Sequence, residues 1–234
     1  MPLRRRALRL TLGSVAAAAA AAIALVLLVG TAGSGGPATA DAAIIHRATE
    51  AVTPLPDQIL HTKVVGEQAG VPVMAESWQE TSAPFASRGA KGEPGRQGEF
   101  GDNGQTTFEY DPSTNTITEQ PDSTAPSFAD PLSQVRSELA GGQALLAGTV
   151  VIGGVALFKV DLPHGLVGYF DQTDYRPRYF DDPQRDGSVV RLRIEAYEYL
   201  PMTAANRALL SVTAQHPGAR VVTAASASNG AAGK

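Results

Sequence analysis

The run from Ser188 to Leu200 constrains this chain most: over thirteen residues Val190, Leu192, Ile194 and Ala196 alternate with Arg191, Arg193 and Glu195. Period-two alternation predicts a strand with one buried and one wet face, and this one is long against a usual length of about five or six residues. Shorter strand-like segments precede it at about Gln58–Glu67, Val73–Thr81, Thr106–Asp111, Asn115–Glu119, Thr149–Ile152, Val155–Leu162, Leu166–Asp171 and Arg176–Asp181. Several are joined by residues that suit tight turns: Asp111-Pro112-Ser113-Thr114, Gly153-Gly154, Gln172-Thr173-Asp174 and Asp186-Gly187. A meander of such hairpins is an antiparallel sheet, and with strands this long it must curl.

The apolar face of that sheet needs a cover, and the sequence offers three helices. The first is Asp41–Thr53, capped by Asp41, striped by Ile44, Ile45, Ala48, Ala51 and Val52, and ended by Pro54 and Pro56. In the second, Pro131–Ala140, Asp130 is the cap, Leu132, Val135, Arg136 and Leu139 repeat at helical spacing, and Gly141-Gly142 is the stop. The third is Ala204–Thr213, capped by Thr203. Much strand and little helix predicts an α+β fold: a curved antiparallel sheet, or half-barrel, with helices packed in its concavity.

At the other end of the chain, Arg4-Arg5-Arg6 and Arg9 run into an almost charge-free stretch from Leu10 to Gly30. As a helix rising about 1.5 Å per residue, that stretch matches a hydrocarbon core of roughly 30 Å. The arginines keep the start cytoplasmic. The expected organisation is a basic leader at 1–9, a transmembrane helix or signal segment at 10–30, a Gly/Ala/Ser/Pro linker at 31–40, an extracytoplasmic domain at 41–217 and a disordered tail at 218–234. Two readings stand: a retained single-pass anchor in a bacterial cytoplasmic membrane, and a signal peptide cleaved after Ala38-Thr39-Ala40. Both export the C-terminal part. With no cysteine, the chain has neither a lipid-attachment site nor a disulfide, so the exported domain is held by its core. Of 19 basic and 23 acidic residues, four arginines and no acid precede Asp41, which leaves the exported part at a net charge of −8. That sign argues against nucleic acid as a partner.

Motifs for chemistry are missing. There is no Gly-x-Ser-x-Gly, no Ser-x-x-Lys and no phosphate-binding glycine motif. Glu195 and Glu198 are expected on opposite faces of their strand. His46, His61, His164 and His216 are scattered without zinc-ligand spacing. Turn chemistry accounts for Asp181, Asp182, Asp186 and Gly187 better than calcium does. Gly89, Gly92, Gly95, Gly98, Gly101 and Gly104 recur every third residue with Pro94 among them, too few triplets for a triple helix, and are expected as a flexible connection between hairpin arms. The sequence thus predicts no enzyme, no metal site and no cofactor.

One feature could serve a ligand. Phe158, Val160, Val190, Leu192 and Ile194, with Met74, Trp78, Phe108 and Tyr110, are candidates to line the sheet's inner wall, facing Leu132 and Val135 of the second helix. A wall only partly filled by helices is an apolar cleft suited to an acyl chain, whereas a filled one is a packed core.

Several residues also carry a family likeness over about residues 42 to 200. An opening helix is followed by strands, by the hairpin Phe108-Glu109-Tyr110-Asp111-Pro112 with Asn115-Thr116-Ile117, by the helix near Asp130, and by the stretch from Tyr169-Phe170-Asp171 through Thr173 to Arg176-Pro177-Arg178. In this the chain resembles the LolA-like half-barrel superfamily of exported lipid and lipoprotein carriers, which includes mycobacterial envelope lipoproteins and the related RseB sensor domain. The resemblance implies a lipid or acylated ligand in an apolar cavity and no catalytic residues. An alternative it implies is a sensor or interaction module acting on a membrane or envelope protein, and a hydrolase built from distant residues is the third reading. The chain departs from these relatives in having no lipobox cysteine, and a retained anchor favours local lipid handling or sensing over shuttling.

Overall fold

A computed structural model of the chain describes residues 37–121 and 130–224. The leader, the expected span at 10–30 and residues 31–36 of the expected linker lie outside them, and no described helix is long and apolar enough to cross a membrane.

In chain order the elements are α1 (Pro37–Val52), β1 (Gln58–Gln68), β2 (Val71–Glu80), β3 (Ser87–Gly92), β4 (Gly98–Asp102), β5 (Thr106–Asp111), β6 (Thr116–Pro121), α2 (Ser133–Ala140), β7 (Leu145–Ile152), β8 (Val155–Asp161), β9 (Val167–Asp171), β10 (Pro177–Pro183), β11 (Val189–Pro201), α3 (Ala204–Ala208), α4 (Val212–Gln215) and β12 (Arg220–Thr223). All strands join one sheet in the order β12-β6-β5-β4-β3-β2-β1-β11-β10-β9-β8-β7, antiparallel throughout except for β12 beside β6. The sheet is curved and does not close. Lys91 on β3 and Asp182 on β10 lie four strand steps apart, which would be about 19 Å at roughly 4.8 Å per step on a flat sheet. Each nevertheless bears on the other's titration, in keeping with a sheet curled toward the face that carries both, which is the face on which α1 and α2 pack.

Cross-strand partners share a face, so the pairing sorts every side chain. The inner, concave face carries Leu60, Thr62 and Val64 of β1, Leu192 and Ile194 of β11, Phe180, Phe170 and Val160. Against it pack Ala48 and Val52 of α1, with Leu132, Val135 and Leu139 in and just before α2, in one core cluster. Tyr197 and Tyr199 belong to this core through a bulge: Lys63 pairs with Ala196 while Val64 pairs with Ile194, so Glu195 is the extra residue. The alternation expected to run on to Ala196 therefore switches parity, and Tyr197 donates its hydroxyl to the Val52 carbonyl at 2.7 Å.

The outer face is also covered, at the other end of the sheet, which corrects the expectation that all helices pack in the concavity. The third expected helix is two short ones, broken at 209–211, with Thr203 accepting from the Asn206 amide and Ser211 from the Ala214 amide as caps. The α4 helix lies over β4 and β5 so closely that a Cβ on Gly101 would sit 2.7 Å from Cγ2 of Val212. The Gly-rich stretch folds as the hairpin β3–β4, not a loose connection, and within it Gly101 leaves room for the helix on top.

Two boundaries move. Helix α1 starts at Pro37 inside the expected linker, proline being favoured at a first helical position, so Asp41 lies within the helix. The expected tail supplies β12, whose β-branched Val221, Val222 and Thr223 pair with β6 and cover an otherwise open edge. Ordered structure thus reaches beyond residue 217.

Candidate functional site

The structure splits the eleven candidate lining residues between the two faces. Leu132, Val135, Val160, Phe158, Leu192 and Ile194 meet in the inner core, and Val190 shares that face by register with Asp182. Met74, Trp78, Phe108 and Tyr110 do not join them, because each pairs along the outer face: Trp78 with His61 and Arg88, Tyr110 with Glu99 and Ile117, Phe108 with Gly101, Met74 with Gly92. Hydrophobic content alone could not make this distinction, since both faces of this part of the sheet are covered.

The inner wall is closely covered, so it is a packed core and the expected open apolar cleft is not present among the described residues. Leu132 and Val160 are fully buried and Val135 nearly so. At the rim, between α2 and the ends of β1 and β2, a cavity of about 150 Å³ is lined by Pro54, Leu60, Gln79, Glu80, Thr81, Phe85 and Arg136. Drug-sized ligands occupy roughly 300–1,000 Å³. The Arg136 guanidinium is held by Asp130, whose carboxylate also accepts from the Leu132 amide at 3.1 Å and so fixes the turn that opens α2.

The inner wall also holds polar residues that the apolar pattern hides. Thr62 faces Ser77, Ser87 stands opposite Gln79, and the half-buried Lys91 stands opposite Ala75. Their sequence signal is a polar residue at an inward position of an otherwise apolar parity, such as Thr62 between Leu60 and Val64.

On the outer face a chain of ion pairs and stacked rings crosses the sheet. His61 binds Glu198 through Nδ1 and Glu76 through Nε2, both at 2.8 Å, and stacks on Trp78 at 4.8 Å. The Arg88 guanidinium lies 4.1 Å from the Trp78 ring and donates to Glu99. Glu99 in turn meets His216, which stacks on Tyr110 at 3.6 Å. The bulge turns Glu195 onto this same face, where Lys63 and Arg193 hold it, so the expectation that it opposes Glu198 is corrected. The two carboxylates still do not converge, because Glu198 is taken by His61. Asp181 is bound by Arg191 and Tyr169, and Asp186 accepts from the Ser188 amide, as turn chemistry requires. Among the described residues no group of three His, Cys, Asp or Glu is placed to hold a metal ion.

Burial pulls the His61 imidazole down, but its hydrogen bonds to the Glu76 and Glu198 carboxylates outweigh it and the net shift is upward from 6.5. The hydrogen bond from His61 lowers Glu76, against its burial. A raised histidine contributes stability fully below its unfolded value and loses it as pH rises through the folded one; the lowered glutamate loses its share as pH falls. The group therefore stabilises most in the mildly acidic range. In chemical denaturation at a series of pH values, His61→Gln should be clearly destabilising at mildly acidic pH and much less so at alkaline pH. A pH-independent effect would mean that the ring is held neutral.

No family model matches the sequence, and no curated protein matches it. Solved structures do resemble the fold, among them proteins of the kind the sequence resemblance named. LprF from Mycobacterium bovis is 12% identical over 70% of this chain and 95% of its own, with a TM-score of 0.42. In the Pseudomonas aeruginosa MucA/MucB complex the values are 18%, 77%, 62% and 0.41, so this chain spans less than two thirds of that one. A LolA superfamily protein from Nitrosomonas europaea is 11% identical over 72% of this chain and 96% of its own, with a TM-score of 0.32.

Proposed function

We propose that this chain is a non-catalytic extracytoplasmic binding protein whose inner face takes an acyl chain or a lipidated ligand, with α2 as a cover that the ligand displaces. The observation that carries this reading is the continuous apolar wall of Val64, Val160, Phe170, Phe180, Leu192 and Ile194, on which α2 is held chiefly by Leu132, Val135 and Leu139. Magnitudes favour exchange. Lifting three such side chains costs roughly 5–9 kcal/mol, at about 1.5–3 kcal/mol each. Burying a sixteen-carbon chain returns roughly 12 kcal/mol at about 0.8 kcal/mol per methylene. The basic leader and apolar stretch of the sequence support a location outside the cytoplasm. Native mass spectrometry of protein purified without detergent should find one acyl ligand per chain, and the emptied protein should take up a fluorescent fatty acid. No co-purifying lipid together with no uptake would overturn the proposal.

A second reading, an interaction module for a membrane or envelope protein, is favoured by the β7–β8 hairpin. Residues 145–158 contain no charged side chain, and Leu145 and Val151 are 69% and 71% exposed. Such an edge can accept a partner strand. If this reading holds, Val151→Lys should abolish recovery of a specific envelope protein in pull-downs while leaving fatty-acid uptake intact.

A further inference from the structure

Three hydroxyls on the inner face are buried without a hydrogen-bond partner: Thr62 at 0% exposure, Ser77 at 2% and Ser87 at 2%. They form one patch. Thr62 and Ser77 are direct cross-strand partners, and Ser87 stands opposite Gln79, the next inner position along β2. Buried hydroxyls are normally paired, so three neighbouring orphans mark a place where a polar group is missing. The patch adjoins the rim cavity, which is lined by Leu60 and Gln79 of the neighbouring row.

On the other side of the patch lies Lys91, two residues beyond Gly89, the partner of Ser77. Other buried or half-buried cations of the sheet are paired: Arg88 with Glu99 and Lys63 with Glu195. Lys91 makes no hydrogen bond and no ion pair among the described residues. Burial pushes its ammonium down, and Asp182 across the concavity draws it only partly back. The carboxylates near the patch are otherwise engaged. Asp182 accepts from Gln184 at 3.0 Å, Glu80 from the Ala86 amide at 3.3 Å, and Asp130 holds Arg136.

We propose that Thr62, Ser77, Ser87 and Lys91 form a subsite for the oxygen-rich head of an acyl amphiphile, in the simplest case a carboxylate, whose chain runs along the apolar wall toward Leu192 and Ile194. The hydroxyls can donate or accept, whereas the Lys91 ammonium only donates, so it is the ammonium that turns the site toward an anionic acceptor. This deepens the binding function proposed above and rests on it.

The test uses the full-length chain in amphipol, with palmitate, acetate and the headless alkane hexadecane delivered from cyclodextrin. The near-isosteric double variant Thr62→Val/Ser77→Ala should bind palmitate about tenfold or more weakly, while hexadecane uptake is unchanged, because only the charge-assisted hydrogen bonds are lost. Its unliganded Tm should equal or exceed that of the wild type, since orphaned hydroxyls stabilise nothing in the empty protein. Lys91→Met should also weaken palmitate selectively. If wild type takes up neither palmitate nor hexadecane, the binding function itself fails. If it takes up both but the variants leave palmitate affinity unchanged, or the unliganded Tm drops, the hydroxyls are structural or serve an ordered water and the subsite is wrong. Acetate bound as tightly as palmitate would overturn the link between head and chain.

Discussion

Arg88→Ala is expected to destabilise the domain by about 3–5 kcal/mol, the range for removing one partner of a buried ion pair. Arg88 is 5% exposed and does three things at once. Its Nη1 donates to Glu99 at 2.6 Å, its Nε donates to the Leu209 carbonyl at 2.6 Å, and its guanidinium stacks on Trp78. Truncation leaves the mostly buried Glu99 with the His216 ring as its remaining side-chain neighbour, and frees the carbonyl that ties the segment between α3 and α4 to the sheet. Besides the loss in urea denaturation, limited proteolysis should cut within 204–216 early in the variant. Arg88→Lys should rescue little, because an ammonium cannot reach Glu99 and Leu209 while lying flat on the indole. A loss under about 1 kcal/mol with the C-terminal segment still protected would show that this cover is held by other contacts.

The second large effect belongs to the inner core. Phe170 is fully buried, opposite Phe158 on β8, and its ring lies over Gly168 so tightly that a Cβ there would stand 2.6 Å from a ring carbon. Phe170→Ala should cost about 3–5 kcal/mol, the transfer loss plus a cavity that the surrounding strands cannot collapse. Gly168→Ala should also destabilise, since it pushes the ring off its seat. The binding proposal adds a further consequence. A cavity opened in the wall that receives the acyl chain should let palmitate raise the Tm of Phe170→Ala by more than it raises the Tm of the wild type. Equal shifts would mean that the chain never touches this part of the face.

Much of this fold was readable from local pattern. The β11 strand, the Gly153-Gly154 hairpin and the body of α2 follow from alternation, turn residues and helical spacing, all interactions within a few residues, but α2 starts at Ser133 with Leu132 at its cap position, so Asp130 fixes the turn before the helix and does not cap it. What the pattern could not settle is set by pairing across strands. The bulge at Glu195 exists only because β1 and β11 slip register at Lys63 and Val64, and it alone brings Tyr197 and Tyr199 inward. Consecutive Ile59 and Leu60 are both buried because β1 is covered on both faces, so alternation there has no polar side to read. Trp78 and Tyr110 sit on the outer wall, which local pattern cannot tell from the inner one for that reason. The hydroxyl patch was hidden because a lone serine or threonine in a strand carries no signal until its missing partner is seen.

The most direct test of the account is whether α2 moves when a ligand enters. The chain has no cysteine, so Gln134→Cys on the exposed side of α2 and Arg193→Cys on the outer face of β11 give two unique spin labels. Pulsed electron–electron resonance distances should lengthen by several ångströms when palmitate is added and return when it is removed. A distance that stays fixed while palmitate is shown to bind would contradict the displaced cover and place the ligand elsewhere on the protein.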